Sequence, residues 1–528
     1  MKKVASWKEL TLREKIGQTV ICLCEEDKHI ALCGSVQAFA EKYPIGGMFN
    51  NTGLVRGLLT GEHGSFAQVL DKYNQYLRVP LIGTADRGAY AAQLGITAMP
   101  QMAIGATDCE EIAYEMGKFM AMDCKKSGVH WLFWPVCDLN LCPDSPVTNI
   151  RAVGDDEDLT CKIVSAELRG MEEMGVISTL KHYPGTPHDE AVDQHLTPIR
   201  NTTPMDLWQK TYGKIYGSLI GQGVPTIMTS HINLENYQQE KIDGIYPPAT
   251  MSYELTTNLL RQELKFDGVT VTDALVMAGF AGEHGVDNMV RSFLAGNDML
   301  LWPAYEYIDR MEQLILEGKI QEAVLDAAVE RIWNLKEKYG ILDGRIEEET
   351  VDADFFESRV RLLAENAITL VQDPKKILPA DRETMKNVLL IAVTPDDGQF
   401  EQLHAFKIAL ENLGCTVTMR RNISPEDGLR LQEDFDLSIF ALCRTPHRPI
   451  GPLDFWAEEA VSIWASNGMD KGKTLAVSFG SPYLYKYYRN SGMTYINAYG
   501  CTAESTQAVA KGIFGLIPFE GKSPVKLH

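Results

Sequence analysis

Eight short runs that are apolar on both faces recur through the first two thirds of the chain, and each is followed by room for a helix. They read TVICL (19–23), GGMFN (46–50), LIGTAD (81–86), VHWLFWPV (129–136), VISTLKHY (176–183), PTIMTSH (225–231), GVTVTDA (268–274) and DMLLW (298–302). Apolar runs of this length without alternation are what strands covered on both sides of a parallel sheet show. Amphipathic stretches such as MSYELTTNLLRQELKF (251–266) lie between them. Eight such repeats predict an α/β chain that opens with a (β/α)8 TIM-type barrel over residues 1–345.

A charged segment, LKEKYGILDGRIEEETVDADFFESR (335–359), ends this region, and 346–366 is read as a linker. A second alternating block follows: AITLVQ (367–372), NVLLIAV (387–393), TVTMRR (416–421), LSIFALC (437–443), TLAVSFG (474–480) and TYINAY (494–499). Helical patterns such as FEQLHAFKIALENLG separate its runs. This predicts a smaller three-layer α/β sandwich domain over 367–528 with a mostly parallel sheet.

The polar residues inside the barrel runs are not scattered. Asp86, Lys181, His182, His231 and Asp273 each stand at or near the C-terminal end of a run. In a barrel of this kind, that end carries the chemistry. Isolated charges at strand ends are usually only solvated, but five on one rim point to a site. The stretch LKHYPGTPHDEAVDQHLTP (180–198) adds His188, Asp193 and His195 in a segment whose prolines and Gly185 predict a loop. On extended backbone, Asp193 and His195 project to one side. The carboxylate can then hold one imidazole nitrogen and leave the other for proton transfer. Alone, Asp-x-His is a weak signal, and a surface pair in a mobile loop is the bland alternative. Asp273 could likewise only cap the next helix. Together they supply one carboxylate nucleophile and one acid/base group, the pairing that retaining glycoside hydrolysis needs. The departure is a histidine where that scheme expects a second carboxylic acid.

Composition narrows the field. The 528 residues are 45% hydrophobic and 23% charged, with a formal net charge of -21. Such an acidic chain repels phosphate backbones and anionic headgroups, so no nucleic-acid partner and no membrane partner are expected. The N-terminal MKKVASWKELTLREKIGQTV reads as an amphipathic helix without the apolar core of a signal peptide. Eleven cysteines form no CxxC pair, and Cys22 and Cys24 are read as free thiols on one strand. Both observations point to a reducing, cytoplasmic setting. No clustered Cys/His spacing suggests a metal, and no glycine-rich phosphate loop suggests a nucleotide, so no cofactor is expected.

Several motifs then share an order and spacing. KHYPG…DQH, NIRAVGDD, IMTSH and PATMSYELTTNLLRQELKFDGVTVTDAL together resemble glycoside hydrolase family 3, in its β-N-acetylglucosaminidase (NagZ-type) branch, over most of residues 8–345. AENAITLVQD and GLIPFEGKSPVKL are similar to the α/β sandwich domain of that family. The resemblance implies Asp273 as catalytic nucleophile and His195, oriented by Asp193, as general acid/base. It places Asp86, Arg151, Lys181 and His182 on the sugar in the −1 subsite, with His231 in support. The implied activity is that of a retaining, exo-acting β-N-acetylhexosaminidase working on a small carbohydrate. A histidine that has given up its proton is neutral and does not repel an incoming phosphate, so phosphorolysis stays open beside hydrolysis. A homodimer also stays open.

The chain departs from the family pattern in places. The loop after Asp86 reads ADRGAYAAQLG, without the Glu, the Gly pair and the arginines usual there, and Arg87 stands too early to replace one. This leaves the −1 sugar undetermined. Gln194 stands where Ser or Thr is usual, and its side chain is expected to point away from the pair with little effect. His188 follows "TP" in place of the usual H-G, which makes it a candidate substrate contact, with a solvated loop histidine as the preferred reading. Glu458 and Glu459 in DFWAEEAVSIW are the residues to consider if the acid/base came from the second domain, as in a β-glucosidase or β-xylosidase type. An inert sugar-binding protein is the alternative of another class; keeping both Asp273 and the Asp193–His195 pair argues against it.

Overall fold

The structure, a computed structural model, describes residues 3–50, 65–86, 99–189, 191–280, 285–343, 353–395, 397–445 and 454–527. The chain divides into two compact units that do not follow from a single cut. The first holds 1–95, 114–138 and 164–351, and the second holds 96–113, 139–163 and 352–528.

In the first unit every apolar run becomes a strand. These are β1 (Val20–Leu23), β2 (Gly47–Phe49), β3 (Ile82–Ala85), β4 (Trp131–Leu132), β5 (Leu180–Tyr183), β6 (Thr226–Thr229), β7 (Val269–Thr272) and β8 (Leu300–Leu301). All pairings are parallel. One sheet runs β4-β3-β2-β1-β8 and another β5-β6-β7. Isolated parallel bridges, Trp131 with Ile177, Val136 with Lys181 and Val271 with Met299, link strand 4 to 5 and 7 to 8. The result is a curled parallel α/β sheet. Strands β3, β5, β6 and β7 are buried end to end because both faces are covered. Their inner side chains, among them Ile21, Phe49, Ile82, Trp131, Phe133, Met228, Val271 and Met299, make one apolar cluster. Burying the Trp131 indole there requires a partner for its N–H. Its Nε1 donates to Thr179 Oγ1 at 2.6 Å and Thr226 Oγ1 at 3.1 Å.

The N-terminal strand ends are closed by charge. Asp298, fully buried just before β8, accepts from Arg261 Nη2 at 2.6 Å and from Arg331 Nη2 at 2.7 Å. It also accepts from the Thr270 N–H at 2.9 Å. Removing one member of a buried network leaves its partners uncompensated. Asp298→Ala is therefore expected to cost about 3–5 kcal/mol, read from the denaturant midpoint. Lys336, also fully buried, donates to Gln18 Oε1, Gly46 O and Pro80 O at 2.7–2.9 Å, and burial pulls it down to about 7.

In the second unit six strands form one sheet, β9 (Thr369–Gln372), β10 (Asn387–Val393), β11 (Thr416–Arg421), β12 (Leu437–Leu442), β13 (Thr474–Ser478) and β14 (Thr494–Asn497), in the order β11-β10-β12-β13-β14-β9. Pairing is parallel except at β9, which runs antiparallel to β14. The stretch 346–366, expected as a linker, carries most of the helix Ala353–Ala367, and 346–352 lie outside the described residues. Among the described residues no helix is long and apolar enough to cross a membrane. All eleven cysteines are free thiols.

Candidate active site

Strand direction decides which polar groups meet. Asp86 follows β3, Lys181 and His182 lie in β5, His231 follows β6 and Asp273 follows β7, all toward the C-terminal strand ends. Asp273 is anchored by its own backbone, its N–H donating to Thr229 O at 2.7 Å. Its Oδ1 accepts from the Ala274 N–H at 2.8 Å. Burial opposes ionisation of this carboxylate, but the imidazoles of His182, His231 and His195 and the Ala274 N–H outweigh it, holding Asp273 below the ordinary aspartate value. Burial also lowers His231.

Lys181, 1% exposed, reaches Asp86 Oδ1 at 3.0 Å. The ammonium and the carboxylate are thus fixed side by side across the end of the short strand β4, which lies between β3 and β5. His182 is held by Asp138, a residue sequence reasoning passed over. Its Nδ1 donates to Asp138 Oδ2 at 2.6 Å, and its backbone N–H meets the same oxygen at 3.2 Å. A carboxylate only accepts, so Nδ1 carries the hydrogen and Nε2 is left for other work. Both residues are buried. The signal was present in PVCDLN, where Asp138 closely follows the apolar run of strand 4.

The second Asp–His pair forms as expected but by different backbone. Residues 194–196 are a turn, not extended chain. Asp193 Oδ1 accepts from the His195 N–H at 2.9 Å and from His195 Nδ1 at 2.5 Å, an Asx-type turn that closes the dyad locally. Gln194 does not stand aside. It is fully buried, and its Nε2 donates to Asp273 Oδ2 at 3.2 Å. The side chain points away from the dyad, as expected, and meets Asp273 instead.

The arm carrying the dyad is also less free than a proline-rich loop suggests. Pro184, Gly185, Thr186 and Pro187 are buried. Trp208 Nε1 donates to Pro184 O at 2.9 Å and Asn201 Nδ2 to Gly185 O at 3.0 Å. Gly185 sits at φ +103°, and a Cβ there would strike the Tyr212 ring at 2.4 Å, so only glycine fits the turn. At the far end Ile199 is bridged to Ile232, its N–H donating to His231 O at 3.1 Å. His188 is half-buried, its Nδ1 at 3.2 Å from Thr203 Oγ1.

His231 has both ring nitrogens engaged by protein. Nε2 donates to Ala274 O at 3.0 Å, and Nδ1 accepts from Thr250 Oγ1 at 3.1 Å. It props the residue next to Asp273. Arg151 belongs to the second unit, in the short helix Asn149–Arg151, with Nη1 donating to Val147 O at 2.8 Å. Arg87 and the rest of its loop to residue 95 lie outside the described residues. Glu459 is used in capping the helix Ala457–Gly468, accepting from the Trp456 N–H at 3.3 Å, and Glu458 is exposed in the first turn. Among the described residues no group of His, Cys, Asp and Glu is placed to hold a metal ion.

Such an array can orient a sugar with Lys181, Asp86 and His182, and present a carboxylate and an imidazole to a reacting bond. Comparison with known proteins agrees with that class. Residues 11–335 match the glycosyl hydrolase family 3 N terminal domain. The chain belongs to glycoside hydrolase family 3. It is 28% identical over 477 residues to a beta-N-acetylglucosaminidase/beta-glucosidase of Cellulomonas fimi, covering 85% of this chain and 84% of the relative. It is 31% identical over 258 residues to beta-hexosaminidase A of Pseudoalteromonas piscicida, covering 45% of this chain and 43% of that protein. Among solved structures, the beta-glucoside phosphorylase BglX superposes with a TM-score of 0.83 at 25% identity, covering 98% of this chain and 94% of the other.

Proposed function

We propose that the protein is a retaining, exo-acting β-N-acetylhexosaminidase that removes terminal β-linked N-acetylglucosamine. The observation that carries this is the Asp193–His195 dyad held by a turn whose middle residue touches the buried Asp273. Asp273 attacks the anomeric carbon, and the bond to the leaving oxygen breaks as His195 Nε2 delivers its proton there. Nδ1, bound to Asp193, keeps the ring turned for this transfer, and the carboxylate stabilises the imidazolium. In the second half His195, now neutral, takes a proton from water as its oxygen displaces Asp273. Asp86, Lys181 and His182 hold the sugar, Asp138 fixes the His182 tautomer, and His231 supports the Ala274 carbonyl. We read the eight strands of the first unit as a closed (β/α)8 barrel and the second unit as a three-layer sandwich.

Phosphorolysis is the second reading. It is favoured by the neutral imidazole that a phosphate anion would meet, and by the likeness to a phosphorylase over nearly the whole chain. One panel decides both sugar and acceptor: aryl β-glycosides of N-acetylglucosamine, N-acetylgalactosamine, glucose and xylose, with and without phosphate. Fastest turnover of the N-acetylglucosaminide, with free sugar as product in both buffers, is expected. Sugar 1-phosphate as the main product in phosphate would replace hydrolysis by phosphorolysis. Preference for glucose or xylose would overturn the sugar assignment.

A further inference from the structure

We propose that Gln194 is a positioning residue for the nucleophile, tying the acid/base loop to Asp273 so that the two reacting groups are placed by one contact. The proposal rests on the retaining mechanism given above and adds a residue to it.

The geometry is specific. Gln194 Nε2 and Asp273 Oδ2 are 3.2 Å apart, and both side chains are buried. An ionised carboxylate has no hydrogen to give, so the amide must present its nitrogen, which fixes the O/N orientation of the side chain. The Gln194 Oε1 is buried and has no hydrogen-bond partner among the described residues, so the bond to Asp273 is what holds this amide. Asp273 then receives one donor on each oxygen, Ala274 N–H on Oδ1 and Gln194 on Oδ2. That clamps the plane of the carboxylate and favours its charged form. A serine or threonine at 194 has too short a side chain to copy an amide at the end of two methylenes.

The backbone makes the same tie. The Ala278 N–H donates to His195 O at 3.1 Å. A Cβ on Gly279 would lie 2.2 Å from Gln194 O, so the dyad turn rests flat on the segment that follows the nucleophile. Asp193-Gln194-His195 is thus seated on residues 273–279, not simply hung above them. Gln194 is the point where a side chain of that turn meets the carboxylate itself.

Two substitutions separate this role from simple packing. Gln194→Met keeps length and apolar stem but removes the donor. It should lower kcat/KM for a reactive aryl glycoside about 10- to 100-fold and move the acidic limb of its pH profile upward, because the nucleophile loses a hydrogen bond to its charged form. An acidic limb identical to that of the unmodified enzyme would overturn the proposal, whatever happened to the rate. Gln194→Glu sets a second carboxylate against Asp273, and its acidic limb should rise further.

Thermal unfolding supplies a readout that needs no turnover. Gln194→Glu should lower Tm at pH 7, and Asp273→Asn in the same chain should restore much of the loss, since the amide of Asn can donate to the new carboxylate. Additive Tm changes would overturn the proposal. The underlying mechanism is tested apart from this, by mass mapping of the peptide labelled by a 5-fluoro-N-acetylglucosaminyl fluoride, which keeps the 2-acetamido group, in the unmodified enzyme. Labelling at Asp273 combined with additive Tm changes would remove Gln194 from the mechanism and leave the nucleophile standing. Coupled Tm changes with labelling elsewhere would keep the contact and remove the nucleophile assignment.

Discussion

Asp273→Asn is expected to reduce p-nitrophenol release from an aryl N-acetyl-β-glucosaminide by about 10⁴-fold or more, with the fold intact. An amide of the same shape cannot displace the leaving group and form the glycosyl-enzyme. The surroundings tolerate the exchange. Asn Oδ1 can still accept from the Ala274 N–H, and Gln194 can turn its unpartnered Oε1 toward the new Nδ2. Retention of wild-type turnover would end the nucleophile assignment. The pH sign follows from the lowered Asp273. Its ionised form contributes stability above the ordinary aspartate value of about 3.9, and this is lost as pH falls through the lower folded value. Activity limited by Asp273 should therefore persist to more acidic pH than an ordinary aspartate would allow.

His195→Ala should divide substrates by leaving group. Glycosides with poor leaving groups need a proton on the departing oxygen, so kcat/KM should fall about 10²- to 10⁴-fold. Aryl glycosides with acidic phenols leave unaided, so their kcat/KM should change little. Their turnover should instead show a burst, because the base that activates water in the second step is gone. Equal losses on both substrate types, without a burst, would count against the acid/base role. Asp193 Oδ1 holds both the backbone N–H and Nδ1 of His195, so its removal should free the ring as well as the turn.

The strands of the first unit were legible in the sequence because their residues are apolar on both faces, and burial on both faces is what a parallel sheet imposes. In the second block the edge strands β9 and β11 are only partly buried and were legible from the alternation of runs with helical patterns. The fourteen runs contain the fourteen strands found among the described residues, down to the antiparallel edge β9. Asp86, Lys181, His182 and Asp273 were legible for a related reason: a charge at the end of such a run has a rim to stand on. Three features were hidden. Asp138 lies 44 residues before His182, and strand 4 is only Trp131–Leu132, so the bridge from Val136 to Lys181 that brings them together has no local signature. Gln194 was read by alternation along an extended chain, whereas an Asx-type turn aims it at Asp273. The buried base of the arm depends on Trp208 and Tyr212, which come from the next helical region. Proline and glycine content alone suggests freedom and says nothing of those anchors.

The interleaving of the two units bears on where this chain can be shortened. Residues 96–113 and 139–163 count with the second unit although they are threaded between strands of the first. The helix Gln101–Thr107 packs on Ala353–Ala367, Gly105 lies against Val153, and Gly154 meets Pro524. The Lys526 N–H, two residues from the C-terminus, donates to Asp155 Oδ2 at 2.8 Å. A chain ended near residue 345 would keep every strand of the first unit and all of Asp86, Lys181, Asp193, His195 and Asp273. It would also strand two apolar segments whose covering had been discarded, one of them holding Arg151. The second unit is thus not an appendage that a single cut removes: Pro524 is stitched to Gly154, and Lys526 to Asp155, a residue of the same unit 371 positions earlier in the chain.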